Sequence, residues 1–232
     1  GLNVLEMMRN LRKYDDSTYT HAINVALICN IMARWLGFSE QEVELASMCG
    51  LMHDIGKLKI PSDIIKKPGS LTDEEYAIIK NHTIEGYPIL SDRGIHQHIC
   101  NSALMHHERC DGTGYPYKLH GSRIDHYAKL VAIADIYDAM TARRVYRGPM
   151  SPFDVIQIFE DEGLSRYDTR YIITFLQRVA DSYMNAHVRL NDGREGRIIY
   201  INRQEIGKPT VQCGSMIVDL RREKGLKIAQ ML

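Results

Sequence analysis

The sequence predicts a mainly α-helical protein, a helical bundle that carries a small antiparallel β appendage at its C-terminal end. Up to about residue 184, apolar residues recur at intervals of three and four, the period of an amphipathic helix. Two of these runs follow a Ser/Thr-x-x-Glu capping box, a common helix start. After about Asn185 the pattern changes to short β-branched segments separated by Gly and Pro. We therefore predict a helical domain over residues 1–186 and a β-rich appendage over residues 187–232 that packs on the last helices.

The composition is that of a soluble globular protein. The 232 residues suffice for one sizeable core, and 44% of them are hydrophobic and 25% charged. Lys plus Arg and Asp plus Glu both number 29, so no net field attracts a nucleic-acid polymer or a membrane surface. The sequence contains neither an apolar run of about 20 residues, as a membrane span requires, nor a recognisable signal peptide. An anionic ligand would have to be attracted by a local basic cluster.

The cysteines and the first residue bear on the setting of the chain. None of the five cysteines forms a CxxC pair, and Cys29, Cys49 and Cys100 lie in apolar helical stretches. Free buried thiols are typical of a reducing compartment, so we predict a cytoplasmic protein. The chain begins with Gly1 rather than Met, which leads us to expect a piece of a longer protein. The sequence leaves open whether a regulatory domain precedes it, and what its oligomeric state is.

The first two predicted helices are separated by a group of capping residues. A short amphipathic helix over residues 3–13 precedes the segment 15–18, Asp-Asp-Ser-Thr, which offers several N-caps for a second helix. Gly37 ends that helix. His21 lies on its apolar stripe, where a lone histidine is more often a hydrogen-bonded core residue than a ligand.

The third predicted helix ends in the residues around which the chain is organised. Ser39 and Glu42 form the capping box that begins it, and it ends at His53 and Asp54. Lys57 follows within one turn, so its ammonium lies on the same face. A charged pair at the end of an apolar stripe is costly unless a partner or a metal neutralises it.

The remaining helices carry further polar residues on apolar faces. Thr72 and Glu75 form the second capping box, and we predict one helix from there that brings His82 into line with Gly86. The helical run over residues 99–105 ends at His106 and His107, and the run over residues 126–142 places Asp135 and Asp138 on one face. Of two further helical runs, one begins at residue 151 and the other covers residues 168–184. The predicted strands, three or four in number, include residues 188–190, 197–201, 210–213 and 216–220.

Seven of these side chains, five imidazoles and two carboxylates, point to a metal centre. Independent burial of so many polar groups is unfavourable without cations. Seven ligands exceed what one tetrahedral zinc takes, but they suit two ions of higher coordination number with a bridging carboxylate. Mixed imidazole and carboxylate ligands fit iron, manganese, nickel or zinc without choosing among them. The residues are His21, His53, Asp54, His82, His106, His107 and Asp135.

Two segments at this order and separation resemble the HD-GYP family. They are residues 53–57, which read HDIGK, and residues 106–116, which read HHERCDGTGYP. The family's hallmark is HDxGK together with HHExxDGxGYP, and the likeness extends from about His21 to Arg147. The family is an all-helical branch of the HD-domain phosphohydrolases that hydrolyses cyclic dinucleotides, chiefly cyclic di-GMP, in bacteria.

The resemblance implies a ligand set. One metal would take His21, His53, Asp54 and Asp135, the other Asp54, His82, His106 and His107, with Asp54 as the bridge. Some members hold a third metal through a glutamate four residues before the first histidine. Ser17 occupies that position here, so we expect two ions, with iron or manganese favoured and nickel or zinc open.

The resemblance also implies the chemistry. Two such ions, about 3.5–4 Å apart, share a hydroxide that attacks phosphorus in line and neutralise the charge that develops on the phosphate. Lys57 would contact the scissile phosphate, and Arg144 and Arg147 match basic positions that hold phosphate. Tyr115 is either part of a tight turn or lines the substrate site, with its ring on a guanine. Asp138 either belongs to the substrate-binding residues, where it orients a ligand or accepts a proton, or is a structural cap.

The function predicted from these residues is a metal-dependent phosphodiesterase that opens cyclic di-GMP to linear pGpG, with further cleavage to GMP left open. Cyclic GMP-AMP is an alternative substrate, because no motif reads the base edge. A low-turnover module that binds the dinucleotide or a diguanylate cyclase domain is a second class. Such modules usually lose ligands, and this chain keeps all seven.

Overall fold

The structure, a computed structural model, describes residues 4–142 and 150–232. The chain forms two compact units. The first comprises residues 1–139 and 165–171, and the second comprises residues 140–164 and 172–232. The boundary expected near residue 186 stays a prediction.

The first unit is helical. Its helices are α1 (Val4–Tyr14), α2 (Asp16–Trp35), α3 (Glu40–Met52), α4 (Ser62–Ile65), α5 (Asp73–Lys80), α6 (His82–Ser91), α7 (Gln97–Met105) and α8 (His126–Thr141), whose last residues belong to the second unit. A 3-10 helix, Ile55–Lys59, follows α3, and another, Gly121–Arg123, precedes α8. The mainly α-helical prediction is confirmed.

Local capping sets the helix starts that the sequence predicts. The Asp15 carboxylate accepts a hydrogen bond from the Thr18 amide, 2.8 Å away, at the start of α2. Both capping boxes form: Ser39 with Glu42 opens α3, and Thr72 with Glu75 opens α5. In each box a side chain and a backbone amide satisfy one another reciprocally, so donors that the helix itself leaves unpaired are bonded.

The single helix predicted around His82 is wrong. The structure has two helices there, because α5 ends at Lys80 and α6 begins at His82. The His82 Nδ1 lies 2.6 Å from the Ile79 carbonyl oxygen, and the Thr83 hydroxyl donates to the Lys80 carbonyl. These side chains occupy carbonyls that would otherwise continue the helical ladder, so the chain turns and redirects His82 inward.

Close backbone packing holds the start of the 3-10 helix against α6. A Cβ added at Gly86 would lie 3.5 Å from the Gly56 amide nitrogen, so the two glycines face one another. The contact fixes the segment after His53 and Asp54 relative to the helix that carries His82.

The second unit combines two helices with a sheet. Helix α9 is Pro152–Glu162 and α10 is Thr169–Ser182, of which the part from residue 172 belongs to this unit. The strands are β1 (His187–Leu190), β2 (Glu195–Tyr200), β3 (Thr210–Cys213), β4 (Met216–Asp219) and β5 (Ile228–Met231), in the order β4-β3-β2-β1-β5, with all neighbours antiparallel.

The expected three or four strands are therefore too few. Strand β5 returns over a long connection to pair with β1, placing Arg189 opposite Gln230. That pairing is not local in the chain, so no turn signal announces it. The Glu160 carboxylate of α9 accepts hydrogen bonds from the amides of Ile206 and Gly207, which ties the β2–β3 connection to the helix.

Two further expectations concern the setting of the chain. Cys29, Cys49 and Cys100 are buried and free, as predicted for helical core thiols. Among residues 4–142 and 150–232, no helix is both long enough and apolar enough to cross a membrane.

Candidate metal centre

Five helices of the first unit deliver the predicted ligands to one place. His21 comes from the second turn of α2, and His53 and Asp54 follow the end of α3. The others are His82, the first residue of α6, His106 and His107, directly after α7, and Asp135, in α8. His53 and His106 have no exposed surface, and Asp54 is only 2% exposed. The seven residues thus converge in the interior of one unit.

Asp54 lies at the middle of the cluster. Its Oδ1 is 3.3 Å from His82 Nε2 and 3.9 Å from His106 Nε2. Its Oδ2 is 3.3 Å from His53 Nε2 and 3.9 Å from His21 Nε2. One carboxylate oxygen therefore faces each half of the histidine set, as a bridging ligand requires.

Backbone carbonyls orient three of the imidazoles. Nδ1 of His53 lies 2.7 Å from the Gly50 oxygen, Nδ1 of His82 lies 2.6 Å from the Ile79 oxygen, and Nδ1 of His106 lies 3.0 Å from the Ser102 oxygen. A carbonyl only accepts, so each Nδ1 carries the proton and each Nε2 presents a lone pair to the centre. Such bonds are the usual outer support of a metal-binding histidine.

Carboxylates orient His21 instead. Its Nδ1 lies 2.6 Å from Asp138 Oδ2, and its Nε2 lies 3.0 Å from Asp135 Oδ1. Burial alone would lower the pKa of His21, but the bonds to Asp135 and Asp138 outweigh it and raise that pKa to about 9. Asp138 therefore holds His21 in place, and its contact favours the orienting role over that of a helix cap.

The charges at the centre suit a cation. Burial alone would raise the pKa of Asp54, but Lys57 and His53 outweigh it and hold that pKa well below its usual value. Burial together with the neighbouring histidines lowers the pKa of His106 well below its usual value. Burial, only partly offset by Asp135, lowers the pKa of His107 to about 3. Ionised carboxylates and neutral imidazoles are the protonation states that metal binding needs, so Asp54, His106 and His107 meet this condition, whereas a metal has to displace a proton from His21.

The donor set fits divalent transition metals. Within the described part of the chain, His53 Nε2 is buried without a hydrogen-bond partner, although it lies 3.3 Å from Asp54 Oδ2. A buried unpaired nitrogen aimed at carboxylates is costly unless a cation lies between them. Three overlapping groups of possible ligands occur here, each with its ligand atoms within 4.8 Å of one another: His21, His53 and Asp54; His53, His106 and Asp135; and His82, His106 and His107.

Lys57 lies at the open edge of the centre. Its ammonium donates a hydrogen bond to Asp54 Oδ2, and its side chain is 23% exposed whereas that of Asp54 is 2% exposed. The Lys57 ammonium is thus held at the Asp54 carboxylate and can still be reached by an anion from solvent.

The loop after His107 closes over the cluster. The Tyr115 ring stacks on the His107 ring, with centroids 4.6 Å apart and an interplanar angle of 25°. The Glu108 carboxylate accepts hydrogen bonds from the amides of Tyr117 and Leu119 and so fixes the loop. Gly112 has a positive φ of 80°, and Gly114 packs so closely on the backbone of residues 107–109 that a Cβ would not fit there.

Other predicted residues fall elsewhere. Arg144 and Arg147 lie outside the described residues. The hydroxyl of Ser17, at the position of the third-metal glutamate, donates to Asp15 Oδ2 at 2.7 Å. A residue not singled out from the sequence is Lys80, whose Nζ lies 5.9 Å from the Tyr115 ring centroid. A single half-buried lysine at a helix end carried no signal in the sequence.

A separate histidine cluster has a structural explanation. His98 lies in α7, with its Nδ1 2.6 Å from Asp125 Oδ2. Asn101 donates to the same oxygen, and the Tyr127 amide donates to Asp125 Oδ1. The carboxylate thus links α7 to the start of α8, and these bonds occupy both of its oxygens.

Comparison with known proteins identifies the family of this chain. A family model described as HD domain matches residues 4–171. The chain is 33% identical over 211 residues to a Pseudomonas aeruginosa protein named cyclic di-GMP phosphodiesterase PA4108, covering 90% of this chain and 51% of that protein. It is 38% identical to a Thermotoga maritima protein named cyclic di-GMP phosphodiesterase, covering 75% of this chain and 48% of that one. It is 39% identical to the 3'3'-cGAMP-specific phosphodiesterase 1 of Vibrio cholerae, covering 62% and 34%.

Solved structures show the same fold. The HD domain of L. monocytogenes phosphodiesterase PgpH, in complex with cyclic-di-AMP, aligns with a TM-score of 0.57 at 19% identity, covering 76% of this chain and 94% of that one. Bd1817 from Bdellovibrio bacteriovorus aligns with a TM-score of 0.56 at 23% identity, covering 67% and 50%. The chain spans about half, or less, of the length of the three curated relatives described above. The fold, the HDxGK segment and the family match agree, and the chain belongs to the HD-domain family.

Proposed function

We propose that this chain is a metal-dependent phosphodiesterase that hydrolyses cyclic di-GMP to linear pGpG, with GMP as a further product. The observation that carries the proposal is the convergence of five imidazoles and two carboxylates in one buried centre, with an accessible ammonium at its edge. Relatives that match 75–90% of this chain are named cyclic di-GMP phosphodiesterases, which supports the substrate class.

Two transition-metal ions would be held by the seven ligands. In this proposal His21, His53, Asp54 and Asp135 hold one ion, and Asp54, His82, His106 and His107 hold the other. The two oxygens of Asp54 face different histidines, which supports its role as the bridge. When bound, such a pair of ions activates water and neutralises negative charge on a phosphate. Iron or manganese is the proposed metal, and the mixed ligand set itself fits nickel or zinc as well.

The surrounding residues bind and orient. Lys57 keeps Asp54 ionised and offers its ammonium to a phosphate oxygen of the scissile diester. Asp138 acts through His21, because its carboxylate bonds to the imidazole Nδ1. Arg144 and Arg147 are proposed to hold the second phosphate, where a planar guanidinium can bond two oxygens at once. Catalytic roles fall to Asp54 and Lys57.

A cyclic GMP-AMP substrate is the second candidate. Two Vibrio cholerae relatives named 3'3'-cGAMP-specific phosphodiesterases are 39% and 40% identical over 145 and 134 residues. Metal and phosphate contacts are common to both cyclic dinucleotides, so the cluster itself does not separate them. A low-turnover binding module, the third possibility, is disfavoured by the complete ligand set.

The setting follows from the same proposal. Free buried thiols support a cytoplasmic location, where a cyclic dinucleotide messenger is met. The matched relatives are longer than this chain. A sensor domain on the same polypeptide, or a diguanylate cyclase domain, is the proposed protein partner.

Turnover measured by chromatography tests the proposal. Purified protein is incubated with cyclic di-GMP or 3'3'-cGAMP and with Mn²⁺ or Fe²⁺. We expect linear product from cyclic di-GMP with either metal. Asp54→Asn should abolish it, while Asp92→Asn, an exposed carboxylate after α6, should leave it unchanged. An unchanged substrate peak under all conditions would refute the enzyme, and full activity of Asp54→Asn would refute the bridge.

A further inference from the structure

The loop that follows His107 is anchored at both ends to the residues beside the metal centre. The buried Glu108 carboxylate accepts hydrogen bonds of 2.7 and 2.9 Å from the amides of Tyr117 and Leu119. The Tyr115 amide donates to the His107 carbonyl at 3.2 Å. A Cβ at Gly114 would lie 2.4–2.5 Å from backbone atoms of residues 107–109, so the loop lies directly on that segment.

His107 differs from the other histidines of the centre in how its ring is held. His53, His82 and His106 each bond a backbone carbonyl through Nδ1, and His21 bonds Asp138. Within the described part of the chain, the His107 ring nitrogens form no hydrogen bond. Its Nδ1 lies 3.9 Å from Asp135 Oδ2, which is beyond hydrogen-bonding distance.

Ring contacts hold His107 instead. The Tyr115 ring stacks nearly parallel to it at 4.6 Å, and the rings of His106 and His82 lie 4.1 and 5.2 Å away. His106 and His82 are themselves fixed by backbone carbonyls. Of the three rings around His107, that of Tyr115 is therefore the one whose position is not set by a backbone carbonyl. The loop anchored by Glu108 determines where that ring lies.

From these contacts we propose that Tyr115 is a positioning residue for metal binding: its ring, held by the Glu108-anchored loop, stacks on His107 and aims that imidazole at one metal position. This rests on the proposed metal centre but not on turnover. The aromatic stack takes the place of the hydrogen bond that orients the other histidines, because offset-stacked rings attract one another and hold each other's orientation. The hydroxyl is dispensable in this role, whereas the ring is not.

The alternative for Tyr115 is contact with a guanine of the substrate. The two roles differ in what they require before substrate arrives. A guanine-stacking ring affects KM and leaves metal content unchanged. A positioning ring affects metal affinity in the absence of any nucleotide.

The test is a Mn²⁺ titration of nucleotide-free protein, with free Mn²⁺ followed by electron paramagnetic resonance. Loss of an outer-shell support for a metal-binding histidine costs about 10–100-fold in metal affinity, so we expect Tyr115→Leu to weaken one Mn²⁺ site by at least about tenfold. Tyr115→Phe, the matched control, keeps the ring and should bind Mn²⁺ as the wild type does. Wild-type affinity in Tyr115→Leu would overturn the proposal, as would equal losses in both variants.

A double-mutant cycle separates positioning from a general loss of structure. In the His107→Ala background, Tyr115→Leu should cause no further loss of Mn²⁺ affinity, because the ligand that it positions is gone. Additive losses would overturn the proposal. Should Tyr115→Leu fail to fold, Glu108→Gln weakens the loop anchor while keeping the Tyr115 ring, and it must lower the affinity of the same site. Two tight Mn²⁺ sites without turnover would refute the proposed function and leave this inference intact.

Discussion

Gly56 offers a sharp test of how backbone packing supports the metal centre. It lies between Asp54 and Lys57 and packs against the start of α6. A Cβ at this position would lie 1.9 Å from the His82 carbonyl oxygen and 2.6 Å from the Gly86 amide nitrogen. The first distance is about 1.5 Å short of the 3.4 Å at which ordinary contact begins. Both opposing atoms are backbone, so no side chain can rotate away.

The Gly56→Ala variant should therefore lose both stability and activity. Overpacking costs about 1–3 kcal/mol, and occasionally more, and this contact belongs at the upper end because α6 must move. For a chain of this size, about 3 kcal/mol lowers the melting temperature by roughly 6–12 °C. Displacing His82 by about 1 Å should lower turnover of cyclic di-GMP by about 100-fold. Thermal unfolding and a turnover assay at saturating Mn²⁺ measure the two effects.

Gly86→Ala is the matched control from the other side of the same contact. Its Cβ would meet the Ala103 methyl at 3.3 Å and Gly56 backbone atoms at 3.5–3.7 Å, which needs a shift of only a few tenths of an ångström. Alanine in a helix is favoured over glycine by about 1 kcal/mol, which offsets this crowding. We expect near wild-type stability. A Gly56→Ala protein as stable and active as Gly86→Ala would refute the packing argument.

Three further predictions concern capping, orientation and metal removal. Partial burial would raise the pKa of Asp15, but hydrogen bonds from Thr18 and Ser17 outweigh it and lower that pKa. The ionised Asp15 cap therefore stabilises the folded protein fully at pH values above the unfolded-state pKa, and this stabilisation is lost as the pH falls. Asp15→Ala should cost about 1 kcal/mol at pH 7 and less below about pH 4, unlike the control Asp16→Ala; a pH-independent difference in urea unfolding would contradict this. Asp138→Asn removes the anion on His21 Nδ1 and should weaken Mn²⁺ binding by about 10–100-fold, with unchanged affinity as the contrary result. Chelation should lower the melting temperature, and Mn²⁺ at 100 times its Kd should restore about 2.7 kcal/mol; a melting temperature insensitive to both would argue against a metal in the core.

The parts of the fold that the sequence predicts are those set by local interactions. The capping boxes at Ser39 and Thr72 each join residues three apart, so they can be read directly from the chain. The break at Asn81 could not, because it depends on His82 and Thr83 bonding carbonyls of the preceding turn. Strand β5 was missed because its partner, β1, is about forty residues away and no turn connects them.

The site shows the same division. The identity of the metal-ligand candidates follows from residue types on apolar stripes and from the HDxGK segment. Their orientation does not, since it depends on which backbone carbonyl each imidazole meets. Asp138 and Tyr115 show this most clearly: a place in the substrate site was predicted for both, and in the structure each contacts a histidine of the cluster, His21 and His107 respectively. Whether either also touches substrate stays a prediction.

The most direct test of the metal centre is anomalous diffraction from crystals of the chain grown with Mn²⁺. We expect two anomalous peaks, on either side of the Asp54 carboxylate, one among His21, His53 and Asp135 and the other among His82, His106 and His107. No peak there, or a peak only at the separate cluster of His98 and Asp125, would contradict it.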